Sequence, residues 1–551
     1  MRRSASGERT ILIVIAVFTA VLRAIAYFHY RFDSDEPQHL HVAWGWTAGL
    51  VPYRDFFDNH APLFHILTAP MLAALGERAD ILLYMRAPML ALFAIVVWAT
   101  YVIGKRMYSE RIGVWAALML ALFPVFFLKS IEYRTDNLWN TFLALTLIVL
   151  TGGRLTSPRL FVAGLLLGCA MATSMKTSLV VMTLAMTAIV SHAFRRRSLA
   201  ATIRPAFVAL AGIVIMPAII TAYFASKGAL SNLYDCVIRF NELAAADKSA
   251  AAIWFDRAVY IPALALLLWT AWKKRLHNDD WQSQWRFFLA FGTAFYAITL
   301  AGFWILISPR DMLPLLTPLA IFLAAAIDRL EIRVPLYAGT CLLFVAGIWY
   351  YAGRLELRTD EQITMMRQVL GLTRPGEPVM DFKGETIYRR RPYYYILEFI
   401  TRGAVLRSLV PDTIAQDVVR ARCHVAQADG PFLPRRGRAF LRANFLDLGR
   451  LRASGQWIRD DGSFTIAVPG EYVILNSNGE AQGALDGSPY RGKRMLAPGA
   501  HAFAASAPGA QLAVLWAPAY ERGYSPFHLR DRDFNGSPIY GSAHARPGSA
   551  S

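Results

Sequence analysis

Long apolar runs, each closed by a short polar or basic stretch, fill the first two thirds of the chain. They occupy residues 10–29, 81–104, 111–128, 137–151, 159–175, 177–193, 205–225, 258–272, 287–307, 311–327 and 334–351. A transmembrane helix needs about 20 apolar residues. The runs are therefore candidate spans, the shorter ones completed by tilt or by neighbouring protein. Strands of a transmembrane barrel would alternate apolar and polar residues instead. Residues 60–76 form a further re-entrant or interfacial candidate, so the expected fold is a polytopic α-helical bundle of about 11–13 spans. The first run ends in His29-Tyr30-Arg31 with no small-residue cleavage site. It reads as an uncleaved span rather than a signal peptide.

Past residue 352 the pattern changes. From Arg354 to Ser551 no run is long enough to cross a bilayer, and Arg, Gly and Pro become frequent. Asp360–Leu372 and Pro411–Arg422 read as helices and Pro378–Phe382 as extended. Phe464–Val468, Glu471–Leu475 and Gln511–Trp516 read as short strands, and Asp486-Gly487 as a turn. The tail Gly536–Ser551 is rich in Gly, Ser, Pro and Ala, a composition expected to be mobile. Two domains follow: a membrane domain, 1–353, with a first external loop at 30–80, and an extramembrane α+β domain, 354–551, whose second half is β-rich and sandwich-like.

Composition agrees with a membrane chain. Hydrophobic residues make up 55% and charged residues 17% of the 551, against roughly 25% charged in soluble domains. The net charge of +18 comes from 57 Lys and Arg against 39 Asp and Glu. Its distribution explains it. Arg2, Arg3 and Arg9 precede the first span, and alternate loops carry Lys105, Arg106 and Arg111; Arg154 and Arg159; Arg195, Arg196, Arg197 and Arg204; Lys273, Lys274, Arg275 and Arg286; Arg329 and Arg333. The positive-inside bias then puts the N-terminus in the cytoplasm and the C-terminal domain outside it. No nucleic-acid motif accompanies the charge. Four cysteines exclude a disulfide scaffold, and no spacing rule joins Cys236 to Cys423.

Candidate chemistry gathers in the loop after the first span. Five of the eleven histidines lie from His29 to His65, among Asp33, Asp35, Glu36, Asp55 and Asp58. Pro37 followed by Gln38–Ala48 and Gly49 reads as a short interfacial helix, with Trp44 and Trp46 at headgroup depth. Asp35 and Glu36 then fall at its N-terminus, where carboxylates also serve as plain caps. Asp35 and His39 share a helix face and, with Asp58, are the candidate ligands for a divalent metal ion. No other cofactor is indicated.

These residues resemble a known family. Asp35-Glu36, then Gly49-Leu-Val-Pro-Tyr53, then Phe57-Asp-Asn-His-Ala-Pro-Leu63 are similar to the first external loop of the GT-C membrane glycosyltransferases. The branch is family 39, the protein O-mannosyltransferase-like group that includes bacterial lipid A aminoarabinose transferase. Glu132-Tyr-Arg-Thr-Asp136-Asn-Leu resembles the second external loop. Gly164 to Lys176 resembles the Gly-rich span ending in lysine, and Ser308-Pro-Arg310-Asp-Met-Leu-Pro the late arginine before a prolyl span. Two positions depart from the pattern. Where the family often has Lys-Pro-Pro-Leu after an acid, this chain has Asn59-His60-Ala-Pro-Leu63. The phosphate contact of that lysine would pass to His60.

The resemblance implies transfer of a hexosyl or pentosyl group, with inversion, from a polyprenyl-phosphate-linked donor to an envelope acceptor: a lipid, a glycan or a protein. It implies a multi-pass protein of the bacterial inner membrane, in contact with membrane lipids and acting on the periplasmic side. Such chemistry wants a carboxylate to take the acceptor's proton and fixed cations to steady the departing phosphate. Asp35 is the candidate base, Glu36 its positioner, and Asp136 a second acid on sugar or acceptor. Lys176 and Arg310 are the candidate phosphate clamps, with His60 and Arg134 beside them. Two other classes compete. A lipid or glycan transporter or flippase would also have a dozen spans, though many show two related halves that this chain lacks. A membrane-anchored binding protein would use the clusters Arg389-Arg390-Arg391 and Arg435-Arg436-Gly-Arg438, which also read as a solvated basic face.

Overall fold

A computed structural model of the chain describes residues 2–195, 200–243, 281–304, 307–352, 359–430, 432–507 and 509–529. The span expected at 258–272, the cluster Lys273-Lys274-Arg275 and the tail Gly536–Ser551 lie outside the described residues. The chain divides into two compact units. The first comprises Met1–Phe32, Asp58–Thr68 and Leu82–Arg358, and the second Asp33–Phe57, Ala69–Ile81 and Thr359–Ser551.

The first unit is helical, and its helices fall on the apolar runs. They include Arg2–His29, Ala87–Met107, Glu110–Leu122, Pro124–Lys129, Thr135–Leu150, Ser157–Thr173, Thr177–Arg195, Ala200–Ser226, Trp281–Phe303, Leu313–Ile327 and Arg333–Ala352. Among the described residues six segments are long and apolar enough to cross a membrane: Ser6–His29, Ile81–Met107, Ile203–Ser226, Trp281–Phe303, Pro309–Ile327 and Arg333–Ala352. The protein is a polytopic helical membrane protein with a C-terminal sheet-containing domain. The run 111–128 is not one helix. Pro124 starts a new one after Phe123, whose backbone is extended, as expected for the residue before a proline.

Two devices hold the bundle. The first is close backbone approach. A Cβ added at Gly164 would stand 2.1 Å from the Ala209 carbonyl oxygen, at Gly168 2.5 Å from that of Ile213, and at Gly212 2.4 Å from that of Phe161. Helices Ser157–Thr173 and Ala200–Ser226 therefore meet along a stripe of small residues, which lets dispersion act over their whole crossing. The second is arginine at helix ends. Arg86 is buried and donates to the carbonyls of Tyr30 and Arg31 at 2.9 Å each, just past the first helix. Arg23 donates to the carbonyls of Phe127 and Ser130 at the end of Pro124–Lys129. Both satisfy carbonyls that a helix terminus leaves without partners. These two intramembrane arginines thus have structural roles.

The second unit joins the first-loop helix Asp35–Thr47 to the C-terminal segment. That helix is mostly buried, with Trp44 and Trp46 partly exposed. His41 Nδ1 lies 2.8 Å from the Ile387 carbonyl, and Trp44 stacks on His41. Helices Asp360–Leu372 and Ile414–Arg420 and strand Val379–Met380 lie where the pattern predicts them. Two sheets follow, one of eight strands and one of four. In the larger, Ala513–Trp516 pairs antiparallel with both Arg452–Trp457 and Gly470–Asn476. Asp486 and Gly487 both have positive φ and join the paired strands Gly483–Leu485 and Ser488–Pro489. Two such residues suit the twist of a tight hairpin. All four cysteines are free.

Candidate functional site

In the first unit, charge collects at helix ends. Asp136 stands in the first turn of Thr135–Leu150. Lys176 lies between helices Ser157–Thr173 and Thr177–Arg195. Arg310 and Asp311 lie in the 3₁₀ turn Pro309–Met312 that opens Leu313–Ile327. Asp311 fixes this turn by a capping box, accepting from the Ser308 N–H at 2.6 Å and the Ser308 hydroxyl at 3.0 Å.

These ends form two adjoining clusters. Lys176 Nζ is 3.0 Å from Asp136 and also pairs with Asp311. Arg134 Nε donates to Asp136 at 3.3 Å. Arg310 binds Glu132 through Nε at 2.9 Å and a terminal nitrogen at 2.8 Å, and Lys129 reaches the other oxygen of Glu132 at 2.6 Å. Lys129, Arg134, Lys176 and Arg310 thus share the carboxylates of Glu132, Asp136 and Asp311. The arrangement is layered. Lys129, Lys176 and Arg310 keep 15%, 16% and 13% of their side-chain surface, while Asp136 keeps 6% and Glu132 and Asp311 almost none. The carboxylates sit behind and the cations face outward, a geometry suited to an anion. The aromatic faces of Trp139 and Trp304 flank Lys176 at 5.7 and 5.8 Å.

His60 belongs to a neighbouring stretch of the same unit. Its Nδ1 is 2.9 Å from the buried Asp58, whose other oxygen is 3.6 Å from His65 Nδ1. Asn241 ties this loop to the lysine loop, donating to the Asn59 carbonyl at 3.1 Å and approaching the Met175 sulfur at 3.9 Å. Beside them opens an apolar cavity of about 370 Å³ lined by Ala61, Pro62, Met171, Ala172, Ile220 and Val237 among others. Its walls continue the segments that carry His60 and Lys176.

Asp35 and Glu36 belong to the second unit. Glu36 is buried and accepts the Asp33 N–H at 2.8 Å, so its carboxylate caps the start of the helix. Asp35 forms an ion pair with Lys383. His39 is fully buried in the helix. Among the described residues no three or more His, Cys, Asp or Glu side chains gather into a group that could hold a metal ion. Sequence reasoning gave no role to Lys129, Lys383 or Glu132. Glu132 stood inside a quoted motif, but nothing local marked the two lysines.

Residues 59–221 match the family model described as dolichyl-phosphate-mannose-protein mannosyltransferase. The matched stretch contains His60, Arg134, Asp136 and Lys176; Asp35 and Arg310 lie outside it. No curated protein matches the sequence. Among solved structures, ArnT from Cupriavidus metallidurans in the apo state is 12% identical with a TM-score of 0.56, covering 82% of this chain and 98% of that one. The same protein bound to undecaprenyl phosphate is 13% identical with a TM-score of 0.54, covering 80% and 97%. This chain is similar to the GT-C superfamily glycosyltransferases. At such low identity the likeness to ArnT is one of fold.

Proposed function

We propose that this chain is a membrane glycosyltransferase that moves a hexosyl or pentosyl group from a polyprenyl-phosphate-linked donor to an envelope lipid, glycan or protein. The observation that carries the reading is the outward layer of Lys129, Lys176 and Arg310 over buried carboxylates, beside an apolar cavity. A lipid phosphate has both parts of that chemistry, an anion and a long apolar tail. The ArnT structure that holds undecaprenyl phosphate shares the fold.

In the proposed reaction the acceptor hydroxyl forms a bond to the anomeric carbon as the bond from that carbon to the phosphate oxygen breaks. Its proton passes to Asp35, acting as general base. The leaving group is already a stable anion, so it needs fixed positive charge rather than a proton. Lys176 and Arg310 supply that charge, with Arg134 and His60 beside them. Asp136 holds Lys176 in place and reaches sugar or acceptor. A single displacement inverts the anomeric configuration. Positive-inside charge puts the N-terminus in the cytoplasm and the C-terminal domain in the periplasm of a bacterial inner membrane.

Mass spectrometry of envelope lipids and glycans from cells with and without the chain tests this reading. Loss of one sugar increment from one acceptor is the expected result. An unchanged envelope, with lipid translocation by the purified protein in proteoliposomes, would replace it with a transporter.

A further inference from the structure

Within the second unit the turn from Asp381 to Thr386 is built around one lysine. Asp381 accepts the backbone N–H of Gly384 at 3.0 Å and of Thr386 at 2.9 Å, and the Thr386 hydroxyl at 2.6 Å. Arg391 Nε holds the same carboxylate at 2.6 Å. Glu385 closes the turn, accepting the N–H of Phe382 at 3.2 Å and of Lys383 at 2.8 Å. Gly384 has a φ of +101°, and a Cβ there would stand 2.6 Å from that of His41. A turn so fully bonded has little freedom to move the side chain it presents.

That side chain is Lys383. It donates to Asp35 and, at 3.1 Å, to the Ser34 hydroxyl. The lysine keeps 5% of its surface and Asp35 keeps 25%. The ammonium is therefore enclosed while the carboxylate reaches outward. Burial weighs most heavily on Lys383 and favours the neutral amine, but Asp35, Glu398 and Glu385 together hold its pKa above the ordinary lysine value. Around Asp35 itself stand Lys383, Ser34, Asp33, whose carboxylate accepts the Asp35 N–H at 3.2 Å, and Glu36, which is turned to the Asp33 N–H.

We propose that Lys383 is a positioning residue for the transfer reaction, holding the Asp35 carboxylate in its outward-facing place. The inference rests on the reading of Asp35 as the base. The acceptor's proton goes to Asp35; Lys383, already protonated, has no lone pair to receive it and keeps its own proton throughout. A purely structural ion pair would show the same contacts, so the test must read the rate per amount of folded protein and its rescue by a second cation at position 383.

Membranes carrying wild-type protein, Lys383→Gln, Lys383→Arg or Asp35→Asn are mixed with lipid extract from the parent strain. The sugar increment is followed by mass spectrometry from about pH 5.5 to about pH 8.5 and normalised to the amount of protein by immunoblot. Lys383→Gln is expected to lose at least about tenfold at every pH, because a displaced base costs that much or more. Lys383→Arg, which returns a cation to Asp35, is expected to recover most of the wild-type rate. A Lys383→Arg loss as large as that of Lys383→Gln, or no loss in Lys383→Gln, overturns the inference. Full activity of Asp35→Asn overturns both the base assignment and this inference. An inactive Asp35→Asn beside a fully active Lys383→Gln overturns this inference alone.

Discussion

Arg310 is bound by Glu132, 178 residues away, and not by its chain neighbour Asp311. Asp311 instead takes Lys176 and closes its own helix cap. Although the opposite charges at 310 and 311 are chain neighbours, each side chain serves a different partner. Glu132 is buried and holds two cations, Lys129 and Arg310. Removing one partner of a buried pair strands the others, at a cost of about 3–5 kcal/mol. Glu132→Gln is therefore expected to lower the melting temperature of the purified protein in detergent by several degrees. An unchanged melting curve would show that Glu132 does not hold the cluster together.

Lys176 differs from Glu132 in facing outward. Replacing it by Met removes one positive charge from the exposed layer and leaves Asp136 and Asp311 facing each other's charge. Binding of undecaprenyl phosphate, measured by native mass spectrometry, is expected to weaken by at least about tenfold, or ~1.4 kcal/mol. Asp311→Asn is a useful contrast. It loosens the Ser308 cap and breaks a buried pair with Lys176 but removes a negative charge, so anion affinity is expected to hold or rise while stability falls by about 3–5 kcal/mol. Equal affinity of Lys176→Met and wild type would remove Lys176 from the phosphate clamp.

The glycine stripe gives a prediction that is independent of chemistry. Gly168→Leu puts a branched side chain where even a Cβ would stand 2.5 Å from the Ile213 carbonyl oxygen. The helices must then separate, and dispersion along the crossing is lost. Size-exclusion chromatography of the detergent-solubilised variant is expected to show little monodisperse protein. Gly339→Ala is the control, since a Cβ there meets nothing within 4 Å. It is expected to be neutral or slightly stabilising, as alanine is the better helix former.

Much of the architecture is legible from the sequence because it depends on local pattern. Apolar runs mark the helices of the first unit, and the Asp486-Gly487 pair marks the turn of a hairpin whose short strands the pattern does not show. The first-loop helix shows where pattern stops. Its apolar side chains Leu40, Val42 and Ala43 suit a bilayer surface as well as they suit protein and are buried in protein, while Trp44 and Trp46 stay partly exposed. The arginine cluster at 389–391 reads as a solvated face, but Arg389 is buried, bound to Thr373 and Glu77, and Arg391 is bound to Asp381. In the candidate site the family motifs single out Asp136, Lys176 and Arg310. Lys129 and Glu132 are only three residues apart, but the pairing of Glu132 with Arg310 and of Lys383 with Asp35 follows from tertiary approach, which no short window of sequence contains.

The second unit should respond to mild acid through one histidine. His424 stacks on Trp516 with ring centroids 4.9 Å apart, and its Nδ1 lies 2.7 Å from the Ser454 hydroxyl. Burial is the main influence on it. Glu377 opposes and Arg422 adds, and the imidazole is pushed down to about 4. An unfolded histidine titrates near 6.5. Above that value both states are neutral and the full stability is present. As pH falls the unfolded chain takes a proton first, so stability is lost from about pH 6.5 down to about pH 4, by up to ~3 kcal/mol. The amide protection factors of strands Gly470–Asn476 and Ala513–Trp516 in the full-length protein, taken against the intrinsic exchange rate at each pH, are expected to fall over that window. His424→Phe keeps an aromatic ring against Trp516 but cannot titrate. It loses the Ser454 contact, so it starts less stable, yet its protection factors should be flatter with pH over the same interval. The same acid dependence in that variant would place the titrating group elsewhere in the unit.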